Sequence, residues 1–220
     1  MSALKGLIFD LDGVIADTVP AHFAAWARMF AEEGFAFDQE IYHEKVDGRR
    51  RLDGAGAVMQ GAEPARVAAA ALRKDAYFLE QIEAGRFSIF DDARRFISVC
   101  HAAGINMATA SSSRNARYIL EKAGIAHFFL SIVGGDDIQN GKPHPEIFLT
   151  AAGRMGLNLS SCIVFEDAVS GIAAAKSGGF ACVGIDRCNQ AARLRGADLI
   201  LKDFSDLCLD DLQMLLKPNA

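Results

Sequence analysis

The sequence predicts an α/β fold in which a Rossmann-like parallel-sheet core domain is interrupted by an inserted α-helical cap domain. Short apolar runs of strand length alternate with helical stretches of about 10–15 residues over the second half of the chain. One further run, Leu7–Phe9, stands alone near the start, and residues 17–88 carry helical signals without a convincing strand. Polar and acidic residues collect where the apolar runs end. The core is therefore assigned to residues 1–16 and 89–220, and the cap to residues 17–88.

"KGLIFDLDG" reads as a buried strand that stops at acids and a glycine. In "PAHFAAWARMFAEEG", Pro20 suits a first helical turn, Phe23, Trp26 and Phe30 recur at helical spacing, and Gly34 offers the stop. "ARVAAAALRKDAYFLEQIEA" is the clearest helix of the insertion. After "FSIFDD", where Asp91 and Asp92 are expected to cap the next helix, "ARRFISVCHAAG" is helical and "INMATASSS" is a strand with a loop. Helical "NARYILEKAG" precedes the strand in "FFLSIVGG", and helical "HPEIFLTAAGRMG" precedes "SCIVFED". "AVSGIAAAKSGG", "ACVGID", "ADLIL" and a final helix complete the chain. Ligands of open α/β sheets gather at the carboxyl ends of strands, which here carry Asp10 and Asp12, then Ser111–Ser113, then Glu166 and Asp167.

Composition limits the function classes. The chain has 220 residues, is 51% apolar and has a formal net charge of −5, so nothing draws it as a whole to nucleic acid or an anionic membrane surface. An anionic ligand would need locally clustered basic residues. The 5 cysteines form no CxxC pair and no Cys/His metal spacing, which suggests buried, reduced thiols. "GLIF" meets Asp10 too soon for a signal-peptide core, and no apolar run approaches the roughly 20 residues of a membrane span. The expectation is a soluble, cytoplasmic monomer.

Asp10 and Asp12 flank a single leucine, and a strand continued through them would point both to one side. A hard cation such as Mg²⁺, held with a further carboxylate from Glu166 or Asp167, would relieve their repulsion. The alternative is an acidic strand end running into an Asp-Gly turn. "TASSSRNA" places three hydroxyls before a helix, where amides bind phosphate, although simple N-capping explains them as well. Lys142 lies on a constrained "NGKPHP" loop. Together, a nucleophilic aspartate, a hydroxyl, a lysine and an acidic pair at one sheet edge are the equipment for phosphoryl transfer through an aspartyl phosphate.

"FDLDGV", "TASSS", "GKPHPEIF" and "VFEDAVSGIAAAKSGG" resemble, in order, the four motifs of the haloacid dehalogenase superfamily, and the likeness covers nearly the whole chain. "FDLDGVIADT", the later His and "AW", and "SSSRNA" are most similar to its β-phosphoglucomutase-like subfamily. The resemblance implies that Asp10 is the nucleophile and a Mg²⁺ ligand. Asp12 would be the general acid/base and lend its carbonyl to the metal, Asp167 would be a further metal ligand, and Glu166 would act directly behind them or through water. Ser113 would touch the transferring phosphoryl group, with Ser111 and Asn115 nearby, and Lys142 would neutralise its charge. In the cap, "VDGRRR" resembles a Gly-x-x-Arg loop with Arg51 at the phosphate-binding position. Lys74 in "LRKDAYF", rather than adjacent Arg73, would face the substrate, and His22, with Thr18 before it, would couple cap closure to proton transfer. Arg49 and Arg50 read as solvated neighbours and Trp26 as cap core. Two features depart from the pattern: "SIFDDARRF" replaces the usual Pro-Gly after the insertion, and the cap carries a glycine-rich "DGAGAVMQGAEPA".

The activity implied is a sugar phosphomutase turning β-glucose 1-phosphate into glucose 6-phosphate through the 1,6-bisphosphate. The alternative is a phosphatase of a small sugar phosphate, in which water accepts the phosphoryl group. A receiver-type signalling domain is disfavoured because the acids lie on the first strand and a large helical insertion follows.

Overall fold

A computed structural model describes residues 3–216, so the outermost ends assigned to the core, residues 1–2 and 217–220, lie outside it. The chain opens with β1 (Gly6–Phe9) and a tight turn into β2 (Ala16–Asp17). Helices α1 (Val19–Glu33), α2 (Gln39–Ile41), α3 (Arg51–Val58) and α4 (Pro64–Glu83) follow, with a π-helical turn at Tyr42–Val46. β3 (Ser88–Ile89) leads back to α5 (Asp91–Ala102), β4 (Asn106–Ala110), α6 (Ala116–Lys122) and β5 (Ser131–Val133). The chain then runs through α7 (Glu146–Arg154), β6 (Cys162–Glu166), α8 (Val169–Ser177), β7 (Ala181–Ile185), β8 (Leu199–Leu201) and α9 (Leu209–Leu215).

Six of the strands form one parallel sheet in the order β5-β4-β1-β6-β7-β8. β1 is central, with Leu7 beside Met107 on one flank and Ile163 on the other. The chain builds outward from β1 to one side and then to the other, and this reversal opens a crevice at the strand ends. Successive β1 side chains feed opposite layers. Leu7 and Phe9 pack with Phe96 of α5, Ile119 of α6 and Leu212 of α9, whereas Ile8 packs with Phe148 of α7 and Ile172 of α8. The Phe9 ring stacks on Phe165 at 4.9 Å, which locks β1 to β6 immediately below the crevice.

The cap has its own small core of Trp26, Met29, Phe30, Tyr42, Ala55, Met59 and Ala70. It joins the core through an antiparallel pair, β2–β3, in which Asp17 stands opposite Ser88. Two residues per strand leave no periodic trace, which is why the sequence shows only helix here. The cap rests on the core through Ser112 Oγ, which donates to Gly48 O (2.7 Å), and Ser170 Oγ, which donates to Asp47 O (3.0 Å).

Two expectations are corrected, at the start of α5 and at the cysteines. Phe90, not an aspartate, is the N-cap of α5, and no side chain caps that helix; Asp92 turns instead to Arg187. Asn115 is the N-cap of α6, but its side chain does not cap the helix and reaches Asp75. Cys100, Cys162 and Cys182 are buried, yet Cys188 and Cys208 are exposed, because they sit on loops beyond the sheet. Among the described residues, no helix is long and apolar enough to cross a membrane.

Candidate active site

β1 ends at Phe9, but the Asp10 amide still donates to Phe165 O (2.9 Å), which holds the Asp10 carboxylate at the crevice. The Lys142 ammonium, with no exposed side-chain area, donates to Asp10 Oδ1 and to Glu166 Oε1 (2.6 Å). Glu166 Oε2 accepts from the amides of Asp167 and Ala168, both at 2.8 Å. A Cβ at position 171 would lie 1.6 Å from Glu166 Oε1, so glycine there makes room for the carboxylate. Glu166 is thus engaged by a lysine and two amides. Burial, with Glu166 and Asp12, outweighs Lys142 and pushes the Asp10 pKa up to about 8.

Asp12 does not continue β1. Its amide donates to Asp10 Oδ2 (2.9 Å), and its side chain turns to the hinge. Oδ1 accepts from Thr18 Oγ1 (2.5 Å) and lies 3.2 Å from His22 Nε2, while Oδ2 accepts from Ser111 Oγ (3.1 Å). His22 Nδ1 in turn lies 2.7 Å from Lys74 Nζ. An ammonium only donates, so Nδ1 accepts and Nε2 carries the hydrogen given to Asp12. Burial would raise the Asp12 carboxyl, but His22, Thr18 and Ser111 outweigh it and hold the group well below the usual range. Burial and the Lys74 charge push the His22 pKa down, against the pull of Asp12. Lys74 also faces the rings of Trp26 and Phe78, each at 4.9 Å.

Asp167 stands in a field of like charge. Burial, then Asp47, Glu166 and Asp10, hold its carboxyl well above the usual value against the pull of Lys142. Gly13, at φ +79°, lies against it, and a Cβ there would come 1.9 Å from Asp167 Oδ2. Among the described residues, no three His, Cys, Asp or Glu side chains converge as a metal-ligating group. Even so, the donors facing the cavity are hard carboxylate oxygens whose repulsion Lys142 relieves only in part, and that chemistry fits Mg²⁺.

A small cavity, about 60 Å³ measured at the centres of water-sized spheres, separates cap from core. Asp10, Asp12, His22, Arg51, Lys74, Ser113 and Asp167 line it. Thr18, Ser111, Asn115, Lys142 and Glu166 stand behind its wall, bonded to residues that reach it. Two cations that line the cavity, Arg49 and Arg114, were not expected there. Arg49, read as solvated, lines it, as does Arg114, whose guanidinium pairs with buried Asp75 at 2.7 Å. Arg51 reaches Asp136 across the cleft at 3.4 Å. Arg50, also read as solvated, lies outside it and ties the cap to the core, bonding Asp53 and Ile138 O. The signal for Arg114 was its place directly after Ser113.

Lys74 gives the site a measurable pH signature. Burial lowers its pKa to about 8, whereas an unfolded lysine titrates near 10.4. A lysine depressed by folding costs stability below the folded value, and the cost disappears above the unfolded one. Wild-type stability should therefore rise relative to Lys74→Met between pH 8 and pH 10, by on the order of 2–3 kcal/mol, in paired urea titrations. Parallel pH curves would contradict the buried, charged assignment.

The chain is similar to known proteins over most of its length. Residues 4–179 match the family model of haloacid dehalogenase-like hydrolases. The chain is 34% identical to a β-phosphoglucomutase of Mycobacterium bovis, over 93% of this chain and 91% of that one. It is 31% identical to a fructose-1-phosphate phosphatase of Escherichia coli, over 82% of this chain and 95% of that one. A β-phosphoglucomutase structure from Clostridium difficile superposes with a TM-score of 0.88 at 26% identity, covering 97% of each chain. The chain belongs to the haloacid dehalogenase-like hydrolases, in their β-phosphoglucomutase-like subfamily, and is a phosphomutase or phosphatase of that superfamily.

Proposed function

We propose that this chain is a Mg²⁺-dependent sugar phosphomutase that works through an aspartyl phosphate on Asp10 and converts β-glucose 1-phosphate into glucose 6-phosphate. The observation that carries the reading is the wiring of Asp12. It lies beside Asp10, is held ionised, and is bonded through Thr18 and His22 to the hinge and cap.

The cycle begins with phosphorylated Asp10. Ionised Asp12 takes the proton of the sugar 6-hydroxyl, whose oxygen attacks phosphorus as the bond to Asp10 breaks. The 1,6-bisphosphate turns over in the cavity. An Asp10 oxygen then attacks the 1-phosphoryl group, the bond to O1 breaks, and Asp12 returns its proton to that leaving oxygen. Lys142 and Ser113 face the transferring group's charge, and Arg49, Arg51 and Arg114 suit the second phosphate at the cap side. Asp10, Asp167 and the Asp12 carbonyl would hold Mg²⁺, which supplies charge stabilisation to phosphoryl oxygens when bound.

A phosphatase reading has one observation in its favour. A second cavity of about 280 Å³ shares Asp47 and Asp167 with the first in its lining, and water held there would lie beside the site.

Two outcomes test the proposal. Asp10→Asn should abolish turnover of every phosphate ester and remove the acid-stable radiolabel left by phosphoryl donors; retained turnover would overturn the aspartyl phosphate. Arg51→Ala should lower kcat/KM for a sugar phosphate by about 10–100-fold, the worth of a charged hydrogen bond. It should change p-nitrophenyl phosphate turnover by less than about threefold, and equal losses on both would remove Arg51 from the second phosphate site.

A further inference from the structure

Arg187 follows β7 on the core and lies outside the lining of the substrate cavity, yet its guanidinium is largely buried, at 16% side-chain exposure. It spends its donors on the turn that carries Asp12. Nε donates to Gly13 O (3.2 Å) and Nη2 to Val14 O (3.0 Å). On the other side, Nη1 and Nη2 donate to Asp92 Oδ1 (3.2 Å) and Oδ2 (2.9 Å). Asp92 Oδ2 also accepts from the Phe204 amide (3.0 Å), which anchors the pair in the core.

The turn needs this partner. Its amides are satisfied internally: Gly13 donates to Ala16 O (2.8 Å), and Ile15 and Ala16 both donate to Leu11 O. The carbonyls of Gly13 and Val14 face away from that network and meet the guanidinium. The same group lies 3.7 Å over the ring of Phe90, the residue after β3, and the Phe90 amide donates to Ile15 O (3.0 Å). One side chain therefore holds the chain entering the hinge and the chain leaving it. Gly13 also abuts Asp167, so slack in this turn would displace two of the site's carboxylates together.

We propose that Arg187 is a positioning residue: its guanidinium fork pins the Gly13–Val14 turn to Asp92 and to the hinge, and so sets where Asp12 and Asp167 stand against Asp10. The proposal rests on the reading of Asp10 and Asp12 as the reacting pair. A lysine supplies the charge but not the fork that joins two carbonyls to a carboxylate.

The test uses the full chain with Mg²⁺, β-glucose 1-phosphate and p-nitrophenyl phosphate, in wild type, Arg187→Ala, Arg187→Lys and Asp10→Asn. Misplacement of the carboxylates predicts a kcat loss of at least about tenfold in Arg187→Ala, with KM within about twofold on both substrates. Arg187→Lys should recover little of it. Millimolar guanidinium, but not methylammonium, should restore part of the Arg187→Ala rate. Amide hydrogen exchange should quicken across Gly13–Asp17 in both arginine variants and stay unchanged in α7. Wild-type kcat in Arg187→Lys, or unchanged exchange across the turn, would overturn the proposal. If Arg187→Ala does not fold, Arg187→Lys carries both readouts. The exchange measurement needs no turnover, so it judges Arg187 even if Asp10→Asn proves active and the aspartyl-phosphate reading falls.

Discussion

The ammonium of Lys142 sits between the carboxylates of Asp10 and Glu166 with no side-chain area exposed to solvent. Burying such ions costs several kcal/mol each, and only mutual attraction with full hydrogen bonding offsets it. Burial works to discharge the lysine, but Asp10 and Glu166 outweigh it and hold its pKa above the ordinary value, so the charge persists. Three segments distant in sequence must meet to make that contact: the end of β1, the loop before α7 and the end of β6. The parallel register of β1 with β6, stiffened by the Phe9–Phe165 stack, brings them together.

With one cation shared by two carboxylates, the remaining acids divide into different roles. Asp167 is left with repulsion that Lys142 offsets only in part, and a hard divalent ion would suit it. Asp12 escapes by turning toward Thr18, His22 and Ser111, which keep it ionised. Two carboxylates separated by one residue therefore have opposite tendencies, Asp10 toward its proton and Asp12 away from it. On those terms Asp12 is suited to act as a base, whereas Asp10 would attack as a carboxylate once a cation beside it favoured the ionised form. Because hydrogen bonds join Asp12 through His22 to Lys74 of α4, the proposed acid/base role of Asp12 would tie its protonation to the position of the cap.

Much of this was legible before any coordinates. Alternating apolar runs gave the parallel sheet because buried parallel strands read as short continuous hydrophobic stretches, and the polar residues at their ends marked the crevice. Asp10, Asp12, Ser113 and Asp167 stand out as residue types at strand ends, and Lys142 as a lysine on a constrained loop. What escaped depends on contacts that no local pattern encodes. The hinge strands are two residues long. Arg114 and Arg49 look like surface charges until α4 and the core loops bring a cavity to them. Asp92 has the composition of a helix cap, and only the fold reveals Arg187 beside it. Whether a residue lines the cavity or stands behind its wall, as Ser111 and Asn115 do, is likewise a tertiary fact.

The most direct measurement follows glucose 6-phosphate and free phosphate side by side in one reaction. It would contain the enzyme, Mg²⁺, β-glucose 1-phosphate and a trace of β-glucose 1,6-bisphosphate. An Asp12 wired through Thr18 and His22 to the hinge and cap predicts glucose 6-phosphate forming well ahead of phosphate. Phosphate released one-for-one with loss of substrate would contradict it and make the chain a phosphatase.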